Sequence, residues 1–176
     1  MKFNLDIPKM GYIIMVRNAG GWFGNMIEKK QKQVGFDPED AKYTHVEVSS
    51  GGPDSIRIAP PKTIAIDITK TYKGRFIRIV RYKDYTLEGR ERCKVACFFA
   101  SLCNMKYDVT GVLSFMSFLL KWLRKNNRLY FCSEGCLWAL QKEYPKALNG
   151  MNPNECMPAE FNNPEYFEKV WEGIIE

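Results

Sequence analysis

Apolar and polar residues divide the chain into an early part that reads as strands and a later part that reads as helices. Residues 11–17, Gly-Tyr-Ile-Ile-Met-Val-Arg, run apolar and β-branched together, as a buried strand does. Gly20-Gly21-Trp22-Phe23-Gly24 gives a loop, and a short helix-like stretch follows over Asn25–Gln33. Residues 43–49, Tyr-Thr-His-Val-Glu-Val-Ser, predict a second strand with Val46 and Val48 on one face and His45 and Glu47 on the other. A Gly51-Gly52-Pro53-Asp54 turn leads to Ser55–Ala59, so these two strands predict a hairpin. Further strands fit Ile64–Ile68 and Arg75–Arg81.

After residue 86 the period changes. Leu87–Met105 has helical spacing, with Cys93, Ala96, Cys97, Ala100 and Cys103 in one small-residue stripe suited to close packing on a sheet. Val112–Leu123 predicts a strongly apolar helix, with Lys121, Arg124 and Lys125 at the end that favours cations. Leu129-Tyr130-Phe131-Cys132 leads into a third helix over roughly Ser133–Tyr144, stopped by Pro145. The Asn- and Pro-rich stretch 149–164 is expected to wrap the surface before a last turn near Pro164–Glu172. Strands first and helices after indicate α+β, an antiparallel sheet packed against helices. With 176 residues, one domain spanning 1–176 is expected.

Composition narrows the setting. The start, Met1-Lys-Phe-Asn-Leu-Asp-Ile-Pro, lacks the apolar core and small-residue cleavage site of a secretory signal, so a reducing, cytoplasmic location is expected. The six cysteines, Cys93, Cys97, Cys103, Cys132, Cys136 and Cys156, then read as free thiols, most of them buried. Their i, i+4 pairs and the single histidine do not fit a zinc site, and no metal or cofactor is expected. The net charge of +6 comes from scattered lysines and arginines with no RNA-binding aromatic signature, so no specific nucleic-acid partner is expected.

Two residues carry candidate chemistry. Cys132 sits where a strand-like run meets a helix, and a helix N-terminus stabilises a thiolate and offers N–H groups to an oxyanion. Taken alone, a cysteine on an apolar helix is more often core packing. His45 changes that balance, because an imidazole can take a thiol proton and return it to a leaving group. Glu47, on the same strand face, could orient the ring as the third member of a triad does.

The order Gly11-Tyr-Ile-Ile-Met-Val-Arg17, Tyr43-Thr-His-Val-Glu47, Lys106-Tyr-Asp108 and Tyr130-Phe-Cys-Ser-Glu134 resembles the circularly permuted, NlpC-type papain-like proteins, more narrowly the YiiX-like branch. Members of that branch start with a Gly-Asp-hydrophobic strand, continue to a Ser-His-Val segment, and reach a Cys-Ser-Glu motif late. The resemblance spans nearly the whole chain, including Met157-Pro-Ala-Glu-Phe161. It implies a permuted papain-like fold, with Cys132 as nucleophile and His45, which precedes it here, as base. Two positions depart from the pattern. Tyr12 stands where the family has Asp, and apolar Ile58 stands where it usually places its third polar residue. Glu47 is the favoured replacement; a shifted register bringing in Asp54 or Arg57, or a simple dyad, are the alternatives.

The resemblance implies a cysteine hydrolase of the amidase or peptidase kind, acting on a peptide, an amino-acid amide or an acyl substrate through an acyl-enzyme. The runner-up is a lipid-directed acyltransferase, thioesterase or phospholipase. Its support is Val112–Leu123 with flanking Lys and Arg, a segment that could make weak contact with an anionic membrane surface. A third reading is an inactive binding module on the same fold, favoured by Ile58.

Overall fold

A computed structural model of the chain describes residues 3–18, 20–85, 89–109 and 130–176. The protein is α+β, built on one six-stranded antiparallel sheet. Its strands are β1 (Ile13–Arg17), β2 (Tyr43–Gly51), β3 (Asp54–Arg57), β4 (Ile64–Asp67), β5 (Phe76–Tyr82) and β6 (Phe167–Ile174), in the spatial order β4-β3-β2-β1-β5-β6. The helices among the described residues are α1 (Trp22–Gln33), α2 (Ile68–Thr71), α3 (Arg90–Ala100) and α4 (Cys132–Glu143). The predicted helix over Val112–Leu123 lies outside the described residues. No helix among those described is long and apolar enough to cross a membrane.

The centre of the sheet is β1, whose Ile13, Ile14, Met15 and Val16 are all buried. A strand apolar on both faces must be covered on both, which accounts for its unbroken apolar run. Helices α3 and α4 pack on each other and against β2. Gly135 allows the close approach of α4: a Cβ there would lie 2.3 Å from Ile58 Cδ1. Ile58, fully buried, is thus a packing residue under the helix as well as part of the site described below.

Gly11 sets the start of β1. Its φ of +82° is a left-handed conformation that disfavours side chains, and a Cβ would stand 2.5 Å from the carbonyl oxygen of Arg92 on α3. Its N–H donates to Ser49 O and its carbonyl accepts from the Tyr85 hydroxyl, so the position is held from three sides. Gly11→Ala combines a left-handed penalty with overpacking against backbone. It is expected to cost about 3 kcal/mol in urea unfolding.

A polar cluster ties the far side of the sheet together. The Arg78 guanidinium on β5 pairs with Glu172 of β6 at 2.7 Å and with Asp40 at 3.0 Å, and stacks over the Tyr43 ring. The Tyr43 hydroxyl donates to Glu172 at 2.5 Å. Burial raises the Glu172 carboxyl, but Tyr43 and Arg78 outweigh it and hold the pKa at about 2.

Three sequence expectations are corrected. The stretch near Pro164–Glu172 reads as a turn but forms most of β6, paired along β5. A bulge between Ile79 and Val80 skips a residue opposite, so the period-2 signal of β6 is broken. The Asn- and Pro-rich tail does not merely wrap the surface: Met157, Pro158, Ala159 and Phe161 are buried. On α3 the small-residue stripe packs only in part. Ala96 is buried and Ala100 and Cys103 pack partly on the core, but Val95 and Phe99 bring more apolar area inward and leave Cys93 and Cys97 exposed. Only Cys132, Cys136 and Cys156 of the six thiols are buried.

Candidate active site

The N-terminus of α4 is delivered to the edge of β2. Phe131 is extended (ψ 171°) and the helix begins at Cys132, so the first-turn N–H groups have no helical acceptor. Glu134 folds back to accept the Phe131 N–H at 3.3 Å, and the Ser133 hydroxyl donates to Cys156 O at 2.6 Å. Helix start and tail are thereby fastened to each other. Pairing between β2 and β3 covers only Val48 to Gly51 on β2, leaving Tyr43 to Glu47 without a β3 partner. Cys132 occupies that opening, with its sulfur beside the backbone N–H groups of Val46 and Ser133.

His45 meets Cys132 there, side chain to side chain. Its side chain retains 21% exposure, while Cys132 retains 3% and Glu47 none. The other edge of the ring is turned to Glu47: His45 Nε2 lies 3.6 Å from Glu47 Oε2, and this buried nitrogen has no other partner. Nδ1 is therefore the nitrogen left for the thiol. The Nε2 contact is longer than a made hydrogen bond, of the kind that tightens when charge develops on the ring.

Burial works against charge on both partners, yet both are driven toward it. For Cys132, burial favours the thiol, but the facing imidazolium and the two backbone N–H groups win and lower its pKa. For His45, the Cys132 thiolate and the Glu47 carboxylate outweigh burial and raise its pKa to about 9. Both shifts run the same way, favouring a thiolate on Cys132 and an imidazolium on His45. Cys136 and Cys156, equally buried without a cation beside them, are pushed far up by desolvation.

Glu47 is itself held. Its Oε1 accepts from the Ser55 hydroxyl at 2.5 Å, and its Oε2 from the Tyr72 hydroxyl at 2.8 Å. Two donors fix the carboxylate in one pose while leaving Oε2 turned to the imidazole. Burial and the adjacent Glu47 charge raise the Tyr72 phenol, so it remains a donor. The buried Gln31 of α1 anchors the start of β2: its Nε2 donates to Ala41 O and Tyr43 O, and its Oε1 accepts the Ala159 N–H.

Cys132 and His45 open on a cleft of about 230 Å³, lined also by Asn18, Phe23, Thr44, Arg57, Ile58 and Tyr107. A narrower apolar crevice adjoins Cys132 on its other side, between Ile27, Tyr107, Phe131 and Pro158. Tyr107 borders both. Asn18 spends its amide on Asn25 and Glu28 and accepts the Gly20 N–H, shaping the loop before α1. Gly24 makes room for it, since a Cβ there would lie 2.3 Å from Asn18 Oδ1. Among the described residues no group of three His, Cys, Asp or Glu side chains could hold a metal ion.

All three residues singled out from the sequence, Cys132, His45 and Glu47, are brought together. Asp54 sits exposed at the hairpin, paired with Gly51 and Asp67, away from the ring. Ile58 reaches the cleft but has nothing to offer the imidazole. Sequence reasoning missed Ser55 and Tyr72 as supports of Glu47, and gave Tyr107 no place at the site. Ser55 was findable, since the predicted hairpin sets its strand beside β2; Tyr72 and Tyr107 carry no local signal. The sequence matches no known family model and no curated protein.

Proposed function

We propose that the protein is a cysteine hydrolase of the amidase or peptidase kind, with Cys132 as nucleophile, His45 as acid–base and Glu47 as the residue that orients His45. The observation that carries this reading is the juxtaposition itself: a buried cysteine at a helix start shares a cleft with His45, whose Nε2 lies 3.6 Å from the buried Glu47 carboxylate. A structural core has no use for such a pair, whose desolvation costs stability. The order of histidine strand before cysteine helix, on an antiparallel sheet packed by helices, supports a circularly permuted papain-like fold.

The chemistry follows from the geometry. The Cys132 thiolate attacks the amide carbonyl carbon, forming the C–S bond and pushing the carbonyl electrons onto oxygen. The N–H end of α4 at Cys132, with Tyr107 at the cleft wall, faces the place where that oxyanion forms. Collapse expels the amine, which takes the proton from His45 Nδ1, and leaves a thioester. Water then attacks the thioester as His45 takes its proton, and the sulfur departs as thiolate. Glu47 steadies the imidazolium from the Nε2 side.

Mixing the protein with p-nitrophenyl acetate tests this reading. A burst of nitrophenolate with one equivalent of acetyl group mapped to Cys132 is expected. Acetylation spread over lysines, without a burst, would contradict it.

A further inference from the structure

The cleft beside Cys132 contains a cation without a counter-ion. Arg57 follows Ser55 by two residues on β3, so it projects on the strand face whose Ser55 hydroxyl holds Glu47. Its Nε is buried and has no hydrogen-bond partner, and among the described residues its guanidinium makes no ion pair. Arg17, Arg78 and Arg81 each meet a carboxylate at 3.0 Å or less, whereas Arg57 and Arg92 each keep a buried Nε without a hydrogen-bond partner; Arg92 lies over the Tyr12 ring, and Arg57 lines the cleft. No aspartate or glutamate is among the described residues lining the cleft. Glu47, the buried carboxylate on that face, is already committed to Ser55, Tyr72 and His45.

A partly desolvated guanidinium left unpaired is costly, and the cost is recovered when an anion fills the place. Arg57 cannot substitute for Glu47, because a guanidinium has no acceptor for an imidazole N–H. It can donate two parallel N–H bonds to a planar carboxylate. We infer that Arg57 is the substrate anchor of the cleft, and that the hydrolase takes an amide or peptide bearing a carboxylate close to the scissile carbonyl. This rests on the hydrolase reading above and adds to it the substrate class.

Two alkylating agents of nearly equal size separate the two claims. Iodoacetamide is neutral and iodoacetate carries a carboxylate; in both, the Cys132 sulfur displaces iodide from the same CH2 carbon. The iodoacetamide rate reads the thiolate, whereas the ratio of iodoacetate to iodoacetamide rates reads the anion site, because the thiolate fraction cancels. In Arg57→Gln that ratio is expected to fall roughly tenfold, equivalent to about 1.4 kcal/mol. Arg57→Lys, which keeps the charge but not the fork, should fall between. Lys94→Gln removes an equal charge from a lysine paired with Glu143 at the opposite end of α4, and should leave the ratio unchanged. Brisk iodoacetamide labelling with a ratio unaffected by Arg57→Gln overturns the anchor and leaves the hydrolase standing. An equal fall in Lys94→Gln also overturns it, since bulk charge then explains the effect. Slow labelling of Cys132 by both reagents overturns the hydrolase reading and the anchor with it.

Discussion

Cys132→Ala is expected to abolish the nitrophenolate burst and lower acyl turnover by about a thousandfold or more, the scale seen when a covalent nucleophile is lost. The substitution is small and lies at a helix start, so the fold should survive: α4 remains anchored by Ser133 to Cys156 O and by Glu134 to the Phe131 N–H. His45→Ala is expected to cause nearly the same loss. It removes the proton donor for the leaving amine and the cation that keeps Cys132 ionised, two functions on one ring. The double variant should be scarcely worse than either single one, as for residues that act as a unit. Additive losses, measured in the same burst assay, would mean that the two side chains do not work together.

The second large effect is expected at Glu47. Glu47→Gln keeps the shape, and the Ser55 and Tyr72 hydroxyls can rotate to suit an amide. Folding should therefore be retained, while the negative charge beside His45 is lost. Turnover is expected to fall roughly 10- to 100-fold, less than for the nucleophile. The pH profile gives a sharper reading. In the wild-type protein His45 must carry its proton to release the amine, so activity should decline as pH rises past about 9. Without the Glu47 carboxylate the imidazolium is less favoured, and that limb should move to lower pH. A steady-state pH profile in which the limb stays in place would show that Glu47 does not act through His45.

Much of this site was legible because its parts obey short-range rules. Alternation alone sets His45 and Glu47 on one face of β2, and the apolar run before Ser133 places Cys132 at a helix start. The hairpin was equally local, as its Gly-Gly-Pro-Asp turn shows. What was not legible depends on distant chain. Tyr72, just past the end of α2, reaches Glu47 across 25 positions, and Gln31 joins α1 to both β2 and the tail. Strand β6 escaped because its bulge breaks the period-2 pattern, and the exposure of Cys93 and Cys97 escaped because helical spacing fixes the face of α3 only to within a residue and packing sets the rest. Arg57 belongs to the same group. Its position on a strand follows from sequence, but its lack of a partner does not.

The central claim is that Cys132 is a thiolate held by His45, and competitive alkylation of the native protein at pH 6.5 tests it most directly. Exposure and activation point in opposite directions here: Cys93 and Cys97 are open to solvent, whereas Cys132 is almost wholly buried at the floor of its cleft. An ordinary thiol is only about 1% ionised at that pH. With limiting iodoacetamide and peptide mapping, Cys132 is expected to react roughly ten times faster than either exposed cysteine, after allowing for the lower nucleophilicity of a stabilised thiolate. That lead should vanish in His45→Ala. Labelling in order of exposure, with Cys93 and Cys97 first and Cys132 unaffected by the loss of His45, would contradict the account.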